Sequence, residues 1–237
     1  MQQFEKSTFS DNAIEAVNLV KRYGSGEALT YALKNVSFSV AKGEFVSIIG
    51  PSGSGKSTLL NIIGALDRPS SGKVLIDGVD LSKQSNSSLA TLRNRKIGFV
   101  FQSFNLLSRM TVQGNVELPM TISGVSASQR KERALHVLGQ FGIAGKAQSK
   151  PATLSGGEQQ RVAVARALVT NPSIILADEP TGNLDTKNTE LMMEVLEELH
   201  DKTHKTIVMI THNTLLANRT QRSIPIKDGE IVDGGEV

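Results

Sequence analysis

The run Gly50-Pro51-Ser52-Gly53-Ser54-Gly55-Lys56-Ser57 fits G-x-x-x-x-G-K-[ST] and stands between two segments of different period. Phe45 to Ile49 before it is apolar and β-rich. Leu59, Leu60, Ile62, Ile63 and Leu66 after it keep the spacing of a helix with one buried stripe, expected to stop near Pro69. A glycine turn joining a buried strand to a helix start commits the chain to an α/β architecture, with the turn at the carboxyl end of the strand. Glycines let the backbone curl so that successive N–H groups aim inward at phosphate oxygens, and the helix beginning at Lys56 adds its positive end. Lys56 supplies a point charge for β and γ phosphates, and Ser57, with Thr58 beside it, offers a hydroxyl to Mg²⁺. Alone, the motif names a nucleotide-binding class and leaves kinases, GTPases and motor ATPases open.

The rest of the chain keeps the alternation of strand and helix. Ile14 to Val20, Tyr31 to Val40, Val74 to Ile76, Ile97 to Phe101, Ile174 to Ala177 and Thr206 to Ile210 read as strands, and Asp228-Gly229 is a hairpin turn between Ile224–Lys227 and Glu230–Val232. From about Leu106 to Val169 helical signals dominate, with Ser128 to Phe141 a charged amphipathic helix, so a helical lobe over about 103–169 is expected inside one domain spanning 13–237. Residues 1–12 read as a loose polar tail without the features of a signal or transit peptide. At 237 residues the chain can bury one sizeable core but not two full domains. It has no cysteine, which excludes disulfides, thiolate metal sites and thiol redox chemistry. The net charge of +3 is not gathered into a stripe, so no nucleic-acid partner is expected, and no apolar run reaches the about 18 residues of a membrane span. Any action at a membrane therefore needs a partner. His200 and His204 lack the glutamate of a zinc-protease motif and read as solvated, while Met192, Met193 and Met209 read as core filler.

Two further motifs carry chemistry. Ile174 to Ala177 ends in Asp178-Glu179, two carboxylates at the strand end where ligands of α/β sheets gather. Asp178 is placed to hold a Mg²⁺ shell opposite Ser57. Glu179, pointing the other way, can orient or deprotonate a water that attacks the γ-phosphate. Leu154-Ser155-Gly156-Gly157-Glu158-Gln159 precedes a helix of small and apolar residues, Val162 to Val169. Ser155 can cap that helix, and Gly156 and Gly157 expose its first amides to an anion. The chain already cradles one nucleotide at Gly50 to Ser57, so a second anion-binding helix end is most economically used on the nucleotide of another copy.

With the phosphate loop before it and Asp178-Glu179 after it, Leu154 to Gln159 resembles the signature of ABC transporter ATP-binding subunits, and the likeness runs from Ile14 to Asp233. The resemblance implies a P-loop NTPase core with an antiparallel β subdomain and an inserted helical subdomain, binding ATP and Mg²⁺. It implies that Tyr23 stacks on adenine, that Gln102 touches Mg²⁺ or water and reports on a transmembrane partner, that Leu184-Asp185 crosses a dimer interface, and that His212 contacts the γ-phosphate. Glu158, within the signature, joins the nucleotide-binding set by the same resemblance. Glu179-Pro180-Thr181-Gly182-Asn183-Leu184-Asp185, Gly98 to Gln102 and Ala32 to Val36 are similar to the LolD/MacB group serving lipoprotein release and macrolide-type export. Asn213 replaces the aspartate common after the family's histidine, and Lys150-Pro151-Ala152-Thr153 stands where exporters with fused membrane domains carry a charged motif, which favours a separate subunit.

On this resemblance each chain carries half of a hydrolytic pocket. Glu179, His212, Gln102 and Lys56 are the expected catalytic residues, and two chains are expected to close head to tail around two ATP·Mg²⁺. An integral membrane permease then feels the closure through the lobe, Ser103 to Leu107 being the contact surface, with the subunit peripheral at the inner face of the cell membrane. The alternative is an ABC-type ATPase that serves a scaffold or transmits force without serving transport.

Overall fold

In the computed structural model, residues 11–232 are described. The tail expected over 1–12 falls outside the described residues up to position 10, and Asn12 is already the first residue of a strand. Two sheets and a group of helices make up the fold. β1 (Asn12–Tyr23), β2 (Thr30–Ala41), β4 (Ser71–Ile76) and β5 (Val79–Asp80) form an antiparallel four-stranded sheet in the order β2-β1-β4-β5. A six-stranded sheet has the order β10-β9-β3-β8-β7-β6. In it β3 (Phe45–Ile49), β6 (Ile97–Phe101), β7 (Ile174–Asp178), β8 (Thr206–Thr211) and β9 (Arg222–Lys227) run parallel, and β10 (Glu230–Ile231) closes the edge antiparallel.

The central parallel strands β3, β7 and β8 are buried on both faces, as a sheet covered on either side must be. Their period-2 alternation assigns each residue to one of two cores. Val46 and Ile48, Ile174 and Leu176, Val208 and Ile210 point into the core shared with the antiparallel sheet and α1 (Lys56–Ile63). Phe45, Ile175, Ala177, Ile207 and Met209 point into the opposite core with Met192, Met193 and Leu196 of α6 (Thr186–Thr203). A third core holds the helical lobe of α3 (Val112–Ile122), α4 (Ala127–Gln140) and α5 (Gly156–Leu168), built on Val116, Met120, Ala134, Leu138, Val162 and Ala165. Gly98 lets α5 approach β6, because a Cβ there would lie 2.4 Å from the Ala167 carbonyl oxygen.

Some details depart from the sequence expectations. α1 ends at Ile63 rather than near Pro69, because Ala65 turns left-handed at φ 54 and the amides of Ala65 and Leu66 close back on the carbonyls of Ile62 and Asn61. Leu66, expected in the helical stripe, is 48% exposed. An unanticipated helix, α2 (Asn86–Lys96), follows the 3-10 turn after β5 and is capped by Ser85, whose hydroxyl accepts the Ser88 N–H. A one-turn helix, α7 (Thr214–Ala217), follows β8 and is capped by Asn213. His200 is half-buried rather than fully solvated: its ring tilts against Phe45, with centroids 5.8 Å apart.

Candidate functional site

The carboxyl ends of β3, β6, β7 and β8 meet at one edge, and the chain leaves each of them carrying a predicted functional residue. The turn after β3 is held tightly. A Cβ on Gly50 would lie 2.0 Å from the Ile226 carbonyl oxygen, and one on Gly55, at φ 103, 2.4 Å from that of Ala32, so both positions require glycine. The β9–β10 hairpin braces this loop from behind: Gly229 N–H donates to Ser54 O at 3.0 Å and Lys34 N–H to Gly229 O at 2.7 Å. Within the loop the Lys56 ammonium donates to the carbonyls of Gly50 at 2.8 Å and Pro51 at 2.7 Å.

Across from the loop, Asp178 ends β7 and Glu179 follows in a left-handed conformation, φ 46, with its N–H on Ile210 O. The reversal sends the Glu179 carboxylate towards the chain leaving β8, where its Oε1 lies 2.9 Å from His212 Nδ1. Gln102 follows β6, its main-chain carbonyl accepting from Asn183 Nδ2 at 3.0 Å. Together Ala32, Ser52, Gly53, Gly55, Lys56, Ser57, Thr58, Gln102, Glu179 and His212 line a cleft of about 610 Å³.

The electrostatics of this edge are unbalanced. Burial pushes the Asp178 carboxyl above the usual carboxylate range, the Glu179 charge adds to that, and Lys56 opposes it. Burial likewise lowers the Lys56 ammonium, against the pull of Glu179 and Asp178. Two carboxylates face one ammonium, so a cation arriving with phosphates would relieve both. Among the described residues no group of three or more His, Cys, Asp or Glu is placed to hold a metal by itself. Such a donor set suits Mg²⁺, which takes one or two protein ligands and completes its shell with phosphate oxygens and water.

Other predicted residues lie away from the cleft lining. Ser155 caps α5 in a reciprocal box, its hydroxyl accepting Glu158 N–H at 3.3 Å while Glu158 Oε2 accepts Ser155 N–H at 2.9 Å. Glu158 is further tied to Lys146. Gly156 is open, but Gly157, expected to present its amide, is buried: its Cβ position is 2.3 Å from Asn188 Oδ1. Asp185 caps α6, accepting Asn188 N–H at 2.8 Å. Tyr23, at the end of β1, is 45% exposed, its hydroxyl donating to Asp67 at 3.2 Å with the Lys21 ammonium 5.0 Å from the ring centre. Ala32, Asn183, Asn188 and the Asp228-Gly229 turn also shape the site, and sequence reasoning does not place them there. Ala32 and Asn183 fall in segments whose signal is a family likeness rather than a place in the cleft, and the signal of the turn concerns the hairpin rather than the loop it supports.

Known proteins resemble this chain in sequence and fold. The family profile described as ABC transporter matches residues 33–182. The lipoprotein-releasing system ATP-binding protein LolD of Geobacter metallireducens is 48% identical over 92% of this chain and 97% of its own length. The macrolide export ATP-binding/permease protein MacB of Mannheimia succiniciproducens is 50% identical over 94% of this chain but 34% of its own length, so the chain spans about a third of that relative. The solved dimeric structure of the ATP-binding cassette MJ0796, in a post-hydrolysis state bound to ADP and Pi, superposes with a TM-score of 0.85 at 48% identity, covering 92% of this chain and 96% of that one.

Proposed function

This chain belongs to the ABC transporter family, as its ATP-binding and ATP-hydrolysing subunit, and we propose from that premise how its residues divide the work. Loop N–H groups from Ser52 to Gly55 wrap the phosphates, with Gly50 and Pro51 shaping the turn and Ser52, Gly53, Ser57 and Thr58 along the cleft wall, and Lys56 exchanges its loop carbonyls for phosphate oxygens. Tyr23 stacks on the adenine. Ser57, Gln102 and Asp178 would hold Mg²⁺, which would supply positive charge against the phosphate oxygens. Glu179 orients or deprotonates the attacking water, and His212, its hydrogen-bond partner, turns to the γ-phosphate.

The observation that carries the reading is that Ser155, Gly156 and Gly157 are not among the residues lining this chain's own cleft. A second copy, turned head to tail, lends them, with Glu158 holding the helix tip in shape and Asp185 lying across the junction. ATP then bridges two chains, and hydrolysis removes the bridge. The proposed membrane partner is a permease in the manner of the LolD/MacB group. An apolar groove of about 400 Å³, lined by Leu66, Phe99, Phe101, Leu118 and Ile122 and bordered by Asn105, lies beside the chain from Ser103 to Leu107. Ile122 is 71% exposed there, which suits a docked helix of another protein. No helix among the described residues is long and apolar enough to cross a membrane, so attachment at the inner face would come through that partner.

Glu179→Gln tests the reading. It should bind ATP, sediment as a dimer only when ATP is present, and hydrolyse about 10²-fold to 10⁴-fold more slowly than the parent. A variant that remains monomeric at saturating ATP would refute the sandwich.

A further inference from the structure

The chain beyond Gln102 is held from the helical lobe by a side chain with no assigned part in nucleotide chemistry. Arg166, in the last turn of α5, donates from Nη1 to Asn105 O at 2.5 Å and from Nη2 to Phe104 O at 2.7 Å. Phe104 and Asn105 are both left-handed, at φ 58 and φ 49, a conformation that asparagine adopts readily but phenylalanine only where the surroundings impose it. Burial lowers the Arg166 guanidinium from its ordinary value, so the charge is desolvated while its bonds go to neutral carbonyls. A second brace stands two residues on: Asn115 of α3, fully buried, accepts Leu107 N–H at 2.7 Å and donates to Leu107 O at 3.1 Å.

The opposite anchor lies on the sheet side, where Asn183, in the loop after Glu179, holds the Gln102 carbonyl. Between the two anchors there is one residue, Ser103. α5 begins at the Ser155 cap and reaches Arg166 about three turns later, as one unbroken helix. We propose that Arg166 is a positioning residue: by holding the Phe104 and Asn105 carbonyls from the last turn of α5, it fixes the backbone that carries Gln102 into the cleft. The inference rests on the reading of Gln102 as a contact within the hydrolytic site.

The test is a double-mutant cycle on the full chain with Gln102→Ala, Arg166→Met and their combination, reading kcat, KM for ATP and the melting temperature, with Arg166→Lys alongside. Arg166→Met should lower kcat about tenfold with KM within about twofold, kcat being counted per folded chain from the melting transition, because loss of folded protein alone also lowers the apparent kcat at unchanged KM. Arg166→Lys, keeping one donor, should recover part of the rate. If Arg166 acts through Gln102, the double variant is no slower than Gln102→Ala alone. Losses that multiply overturn the proposal, as does an Arg166→Met variant with unchanged kcat. If Arg166→Met does not fold, the cycle with Arg166→Lys decides in the same way. Gln102→Ala at the full parental rate would remove the premise about Gln102 and this proposal together, whereas a slow Gln102→Ala with multiplying losses overturns this proposal alone. The ATP-dependent dimer of Glu179→Gln tests the sandwich separately from either.

Discussion

Asp178 and Glu179 are neighbours in sequence with different surroundings. Asp178 stays in line with β7 and is half-buried near Lys56, while Glu179 turns left-handed and reaches His212. The left-handed backbone costs about 1–2 kcal/mol for a residue with a Cβ, so the geometry is imposed by β8 through Ile210 rather than chosen by Glu179. Desolvation makes Asp178 a liability to the nucleotide-free fold. Its raised pKa means the folded chain favours the protonated form, so its contribution to stability is favourable below the ordinary value of 3.8 and is lost as pH rises through the folded value. Asp178→Asn should therefore melt about 2 °C higher than the parent at neutral pH, with the gap closing as pH falls to about 3.8, followed by calorimetry. The same variant should need on the order of 10-fold to 100-fold more Mg²⁺ for half-maximal hydrolysis. An Asp178→Asn chain no more stable than the parent at pH 7 would contradict the desolvation account.

At the scale of elements, α5 shows how a motif can be legible while its surroundings are not. Ser155 and Glu158 sit at the spacing of a capping box, and the helix forms from that signal. The contact of Gly157 with Asn188 depends on how α6 packs across α5, which no local pattern records. Gly157→Ala should displace the Asn188 side chain and with it part of the Asp185 cap, costing roughly 1–3 kcal/mol, and Asn188→Ala should relieve the crowding in thermal melts of the double variant. Additive losses would rule out that contact as the cause. β3, β6 and the hairpin are readable because apolar runs and Asp228-Gly229 leave a strong imprint. α2 is not, since it buries only Leu89 and has no apolar stripe to betray its period. α1 reads too long because Leu66 continues the apolar spacing beyond the stop, which is made by the Gly64 cap and the left-handed Ala65. Nor can local pattern show Arg166 gripping Phe104 and Asn105 some 61 or 62 residues away.

For the whole molecule, the two sheets and the lobe assign each half of the chemistry to a different place. The cleft sits on the parallel sheet, and the signature tip sits at the start of α5, a helix whose other end is fixed to β6. On the proposed reading, a subunit organised in this way would gain its second set of phosphate donors from another copy, and its working cycle would be one of closing on ATP and opening after hydrolysis. The absence of cysteine from the sequence makes that geometry directly accessible to cross-linking. In the Glu179→Gln background, one chain carries Ser52→Cys and a second, distinguishable by mass, carries Thr153→Cys; both positions are exposed. A short bifunctional maleimide should join the two different chains when ATP is present and not when it is withheld. If no ATP-dependent link forms between them, and a single chain bearing both cysteines links to itself instead, the second half of the site is not supplied by a partner.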